Sequence, residues 1–131
     1  MSDPPRRPRV LLADDDAGIR TAISRLLSHT CDLVASVSDV PTLFEAVVEF
    51  RPDVVLLDLS LRGGLDGFQV CRRIKTITPE VSVVAFTAHD DAQVRRLAYE
   101  AGASGYVWKL QAVSDLLSTI REVVERTPPP G

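Results

Sequence analysis

The chain predicts a doubly wound α/β domain, (βα)5, with five parallel strands in one sheet and helices on both of its faces. Three observations carry this. Short apolar runs alternate with longer stretches of helical period along the chain. The clearest run, Val54-Val-Leu-Leu-Asp58, puts four apolar residues in a row, two of them β-branched, as a strand covered on both faces requires. Several runs then stop at a polar side chain, where an open parallel sheet carries its chemistry.

The elements follow in order. Arg9–Ala13 is expected as β1, ending in Asp14-Asp15-Asp16. From Ala17 to His29, Ile19, Ala22, Ile23, Leu26 and Leu27 form one apolar stripe, so this is α1, with Asp16 as its N-cap. Asp32–Val37 is β2. Asp39 caps α2, which has Pro41 in its first turn, turns Leu43, Phe44 and Val47 inward, and stops by Arg51 because Pro52 follows. Val54–Asp58 is β3. After a loop holding Gly63, Gly64 and Asp66, α3 runs from Gly67 to Ile77 with Phe68, Cys71 and Ile74 inward. Val81–Phe86 is β4, ending at Thr87-Ala88. Asp91–Ala101 is α4, burying Val94, Leu97, Ala98 and Ala101, with Gly102 as C-cap. Gly105–Trp108 is β5, ending at Lys109. Ala112–Arg126 is α5, with Val113, Leu116, Leu117, Ile120, Val123 and Val124 on one side.

Length and composition bound the rest. The 131 residues suit one domain, and a hydrophobic share of 45% is enough for a core. A net charge of −3 gives no general attraction to nucleic acid or anionic membrane, and no apolar run is long enough to span a bilayer. Residues 1–8 read as a flexible N-terminal arm rather than a signal peptide, residues 9–126 as the domain, and residues 127–131 as a proline-rich tail or the start of a linker. Cys31 and Cys71 have no metal or redox spacing and are expected as buried thiols in a reducing, cytoplasmic setting. Arg72-Arg73-Ile-Lys75 and Arg95-Arg96 read as solvated helix faces, and His29 and His89 as exposed or locally bonded groups.

The strand ends collect Asp14 and Asp15 from β1, Asp58 from β3, Thr87 from β4 and Lys109 from β5 on one edge of the sheet. Three carboxylates in a small volume repel one another, and a divalent cation relieves that repulsion. Oxygen-only ligands with open water positions suit Mg²⁺. A carboxylate, a hydroxyl and an ammonium beside such a cation are what phosphoryl transfer to an aspartate needs. Asp58, on the central strand, is best placed as nucleophile; Asp14 and Asp15 are better placed as metal-binding groups.

Five fragments in order on these elements resemble the receiver domain of bacterial two-component response regulators. They are Leu11-Leu-Ala-Asp-Asp-Asp16, Val54-Val-Leu-Leu-Asp58, Asp66-Gly67, Phe86-Thr-Ala88 and Ala101-Gly-Ala-Ser-Gly-Tyr-Val-Trp-Lys109. The resemblance covers residues 9–126. It implies the flavodoxin-like strand order 2-1-3-4-5 and a phosphoacceptor, Asp58, served by a sensor histidine kinase or a phosphotransfer protein. It implies Mg²⁺ bound by the side chains of Asp15 and Asp58, by Asp14 through water, and by the backbone carbonyl of Ser60. Lys109, Thr87 and Ala88 would meet the phosphoryl group. Thr87 and Tyr106 would act as the switch, read out on the α4–β5–α5 face. Ser60 and His89 would tune the hydrolysis rate. The resemblance makes the chain a signalling phosphoacceptor that catalyses its own phosphorylation and dephosphorylation, not a metabolic enzyme. A transcriptional output, with DNA contacted only through a domain outside this chain, is expected from the family branch with helix-turn-helix output domains. Homodimerisation on phosphorylation is an expectation by fold analogy alone.

The sequence departs from the family pattern in three places. Leu61-Arg62 stands where Met-Pro is usual, Gly63-Gly64 lengthens the loop after Asp58 by one residue, and Leu110 replaces the proline that usually follows the lysine. Other function classes fit less well. Haloacid dehalogenase-type phosphohydrolases want an aspartate two residues after the nucleophile, where this chain has Ser60; cobalamin binders need a histidine loop that is absent. A degenerate receiver, acting as a phosphorylation-independent interaction module, is the alternative reading.

Overall fold

The structure, a computed structural model, describes residues 6–126. The proposed tail at 127–131 and the first five residues of the proposed arm lie outside them. Five parallel strands form one sheet in the order β2-β1-β3-β4-β5, as expected. They are β1 Arg9–Ala13, β2 Asp32–Val37, β3 Val54–Asp58, β4 Ser82–Thr87 and β5 Gly105–Trp108. The helices are α1 Ala17–Leu27, α2 Val40–Phe50, α3 Gly67–Ile77, α4 Ala92–Glu100 and α5 Ala112–Arg126, with a 3₁₀ turn at Lys109–Gln111 leading into α5.

The alternation along β1 and β3 explains the continuous apolar runs. Val10, Leu12, Val54 and Leu56 point to the face covered by α1 and α5, where they meet Ile23, Leu27, Leu116 and Ile120. Leu11, Ala13, Val55 and Leu57 point to the other face, against Leu43 and Val47 of α2, Val70 and Ile74 of α3, and Ala98 of α4. The eight strand residues are fully buried. A fully buried aliphatic side chain contributes about 2 kcal/mol, so this pattern pins the register of the central strands. The ladder between β1 and β2 is irregular. Val10 pairs with Leu33 but Leu11 pairs with Ala35, so β2 carries one residue more than β1 at Val34.

Aspartates start the helices. Asp16, Asp39 and Asp91 cap α1, α2 and α4 through backbone N–H groups of the first turn. Asp66 and Gln69 form a reciprocal capping box at α3. Arg51 ends α2 in the left-handed region (φ 43°), ahead of Pro52.

Two inward assignments are corrected. Ala22 is exposed, because α1 meets the sheet along Ile19, Ile23 and Leu27, one side of the broader stripe. Val113 is 85% exposed. The stripe of α5 is set by Ala112, Leu116, Ile120 and Val123, and Val113 lies about 100° round the helix from Ala112. Several boundaries also shift: α1 stops at Leu27 rather than His29, and β4 runs Ser82–Thr87. Ahead of β1, Arg7 Nη2 donates to the carbonyls of Ser28 (2.7 Å) and Cys31 (2.8 Å), and Asp32 N donates to Pro8 O (2.8 Å). Cys31 and Cys71 are free, buried thiols. Among the described residues, no helix is long and apolar enough to cross a membrane.

Candidate functional site

Strand order reverses between β1 and β3, because the chain leaves β1 for its outer neighbour β2 and then returns to β1's other side. The carboxyl ends at such a switch point border a crevice. Asp14, just past β1, and Asp58, the last residue of β3, lie there with 0% and 2% exposure. One carboxylate oxygen each from Asp14, Asp15 and Asp58 fall within 4.8 Å of one another.

Lys109, just past β5, reaches back into this cluster. Its Nζ is 2.7 Å from Asp14 Oδ2 and 3.5 Å from Asp58 Oδ2. Its side chain is 14% exposed and also lies over the Phe86 ring, with Nζ 5.4 Å from the centroid. The Lys109–Asp14 approach is a short ion pair, and Asp14 Oδ2 is buried with the ammonium against it. The other oxygen, Asp14 Oδ1, accepts from Asp16 N (2.9 Å), and Asp14 O accepts from Arg20 Nη1 (2.7 Å).

Asp58 Oδ1 accepts two hydrogen bonds from one residue, Ser60 N at 3.0 Å and Ser60 Oγ at 2.8 Å. A turn closed by Leu61 N on Asp58 O (3.1 Å) brings Ser60 back over the carboxylate, and buried Leu61 anchors it. Gly67 lets α3 start against this turn, since a Cβ there would come within 2.4 Å of Leu59 O. Asp15 is the outer member of the trio. Its Oδ2 is 3.3 Å from Arg62 Nε, and the side chains are 32% and 87% exposed.

The remaining predicted residues form a second, linked group at the ends of β4 and β5. Thr87 is buried, and its Oγ1 accepts from His89 N at 3.2 Å. Tyr106 is 8% exposed and donates its hydroxyl to His89 O at 2.6 Å; Arg95 of α4 lies over its ring, 5.3 Å from the centroid. Trp108 Nε1 donates to Ala88 O at 3.2 Å. Ala88 and His89 are exposed. Thus Asp14, Asp15, Asp58, Ser60 and Lys109 meet directly, while Thr87, Ala88, His89 and Tyr106 form a chain of backbone-mediated links beside them. Sequence reasoning missed the roles of Arg20 and Arg62 around the acids. Arg62 was visible only as a departure from the Met-Pro pattern four residues after Asp58.

The donor set fits a small hard cation. Three carboxylates supply oxygen alone, the ligand type Mg²⁺ takes, and their oxygens lie within 4.8 Å of one another, near enough to serve one ion. Asp14 Oδ2, buried and met by the Lys109 ammonium at 2.7 Å, accepts no hydrogen bond and so keeps lone-pair capacity for a further partner. Three carboxylates facing Lys109 and Arg62 leave one formal negative charge uncompensated.

The family model described as "Response regulator receiver domain" matches residues 10–121. The chain is 34% identical over 121 residues to the response regulator MprA of Mycobacterium leprae (strain TN), a match covering 92% of this chain and 53% of that protein. The chain therefore spans about half the length of the curated relatives it matches. Among solved structures it resembles a two-component response regulator of the LuxR family from Aurantimonas sp. SI85-9A1, at 30% identity and a TM-score of 0.85, covering 92% of this chain and 86% of that one. It also resembles the signal receiver domain of NarL from Mycobacterium tuberculosis, at 26% identity and a TM-score of 0.85, covering 93% of this chain and 99% of that one.

Proposed function

Because the chain belongs to the response regulator receiver family of two-component signalling, we propose that Asp58 is its phosphoacceptor and that phosphate on Asp58 controls an output. One observation supports this above the others: a buried carboxylate at the end of the central strand lies 3.5 Å from a lysine ammonium and among two more carboxylates. A carboxylate oxygen of Asp58 attacks the phosphorus of a phosphohistidine, the P–N bond breaks, and the imidazole leaves with its electron pair. The product is an acyl phosphate on Asp58, later cleaved by water.

The chain's own groups divide the work. Asp14, Asp15, Asp58 and the Ser60 carbonyl would hold Mg²⁺, in keeping with a family that binds the ion at an acidic pocket. When bound, the ion supplies positive charge against the oxygens of the transferring phosphoryl group. Lys109 pairs with a phosphoryl oxygen and gives up its hold on Asp58 to do so. Ser60 restrains the Asp58 carboxylate before the reaction through two hydrogen bonds to Oδ1. Thr87 and Ala88 meet the phosphoryl group from the β4 end, with His89 at the mouth. Movement of Thr87 toward the new charge breaks its bond to His89 N, and His89 O is what Tyr106 holds. That link carries the signal to the α4–β5–α5 face.

The phosphodonor is a sensor histidine kinase or a phosphotransfer protein in the cytoplasm. In this reading the output is transcriptional, through a DNA-binding domain, as the resemblance to the family branch with helix-turn-helix output domains implies. Homodimerisation on phosphorylation is part of the same reading and would raise the hydrodynamic mass.

Intact mass after incubation with Mg²⁺ and acetyl phosphate tests the proposal. One phosphoryl adduct is expected, missing from Asp58→Asn and from a Mg²⁺-free control. A folded protein with no adduct and no change in Trp108 emission on beryllofluoride addition would instead be a phosphorylation-independent interaction module.

A further inference from the structure

We propose that Arg62 is a built-in counter-ion of the metal site: its guanidinium occupies Asp15 and must release it when a divalent cation binds, which weakens cation affinity. The inference rests on the reading of Asp14, Asp15 and Asp58 as that site.

Arg62 Nε lies 3.3 Å from Asp15 Oδ2, and Asp15 belongs to the trio whose oxygens fall within 4.8 Å. The guanidinium is thrown from a fixed stretch of backbone. Arg62 O accepts from Val40 N at 2.8 Å, at the start of α2. Leu61 before it is buried, 4% exposed. Gly63 after it sits at φ 139°, where a Cβ would be 2.6 Å from Val40 Cβ. Held on both sides, the Arg62 side chain starts from one place, within reach of Asp15.

Charge then decides the effect. A cation about 2.1 Å from an Asp15 oxygen puts two positive charges a few ångströms from the guanidinium, and like charges at that distance repel. The Arg62 side chain is 87% exposed, so water screens the pair and it contributes little to folding. Weak pairing is what lets an incoming cation displace the arginine. Lys109 cannot play this part, since its side chain is 14% exposed and bound to Asp14 and Asp58 at once.

The test is the Mg²⁺ dependence of Tm in the wild type, Arg62→Ala, Arg62→Lys and Asp15→Asn, without phosphodonor. Preferential binding to the folded state raises Tm as concentration passes Kd, so each curve yields an affinity. Arg62→Ala is expected to bind Mg²⁺ about three- to fivefold tighter than the wild type, and Arg62→Lys within about twofold of it. Equal or weaker binding by Arg62→Ala overturns the counter-ion role, as does a lysine variant that matches the alanine one, because charge would not be the cause. A Tm indifferent to Mg²⁺ in both the wild type and Arg62→Ala overturns the metal-site reading itself. Asp15→Asn shows how much of the response runs through Asp15.

Discussion

Ser60 holds Asp58 by a two-point grip: its N–H and its hydroxyl both donate to Asp58 Oδ1, at 3.0 and 2.8 Å. Hydrogen bonds to an ionised carboxylate stabilise the anion before reaction and so restrain it as a nucleophile. Ser60→Ala removes the hydroxyl and leaves the N–H. Its rate of phosphorylation by acetyl phosphate is expected to rise by about tenfold, the lower end of the usual worth of a hydrogen bond to a charged group, since the N–H remains. Stopped-flow Trp108 emission would measure it; an unchanged or lower rate would show that the hydroxyl does not restrain Asp58.

Lys109 is the only cation seen in contact with both buried acids among the described residues. Taking away one partner of a buried pair leaves uncompensated charge. Lys109→Ala is expected to lower unfolding free energy by about 3 kcal/mol without Mg²⁺, and by less with saturating Mg²⁺, in urea titrations. Equal losses in the two conditions would mean that the cation does not share the acids with Lys109.

Gly67 is required for space rather than for its backbone angles. An added Cβ would sit 2.4 Å from Leu59 O and 2.6 Å from Leu59 Cα, and backbone cannot step aside as a side chain can. Gly67→Ala is expected to cost about 3 kcal/mol, the upper end for overpacking, and to slow phosphorylation by displacing the turn that carries the Ser60 carbonyl proposed to hold Mg²⁺. Urea unfolding and the acetyl phosphate assay check the two parts separately.

Burial pushes the Cys71 thiol up to about 11, with Lys75 and Arg72 opposing weakly. The folded state therefore holds this proton more tightly than the unfolded chain does. Stability from Cys71 is fully present below the unfolded value near 9 and is lost as pH climbs from there toward 11. In Cys71→Ala that part of the alkaline loss is expected to vanish, seen as a flatter Tm profile across this window. Alkylation of native Cys71 at pH 8 should be far slower than in urea.

The strands were legible because their burial is two-sided: a run such as Val54–Leu57 has no polar alternation to misread. The strand ends likewise delivered Asp14, Asp58 and Lys109 to one edge, since parallel register alone brings them there. Helix faces were less legible. Val113 looks like a core residue in a list of apolar spacings, but the buried stripe of α5 runs through Ala112, Leu116, Ile120 and Val123 and leaves it outside. Contacts that depend on a loop's path were invisible. The Arg62–Asp15 pair needs the lengthened turn and the Val40 anchor, and the grip of Ser60 on Asp58 needs the backbone to fold back by two residues. Neither leaves a periodic trace.

The surplus residue in β2 bears on how these molecules behave in a crowd. β2 is a margin of the sheet, and its outer backbone groups are a template on which another chain's strand could add. With Val34 unmatched against β1, the strand is bent where a flat partner would need it straight. Exposed Asp32 and Ser36 bracket the half-buried Leu33, Val34 and Ala35 with polar groups. The irregular ladder thus serves as a safeguard against edge-to-edge strand pairing, and straightening it by deleting Val34 should make the protein more prone to aggregate even where it still folds.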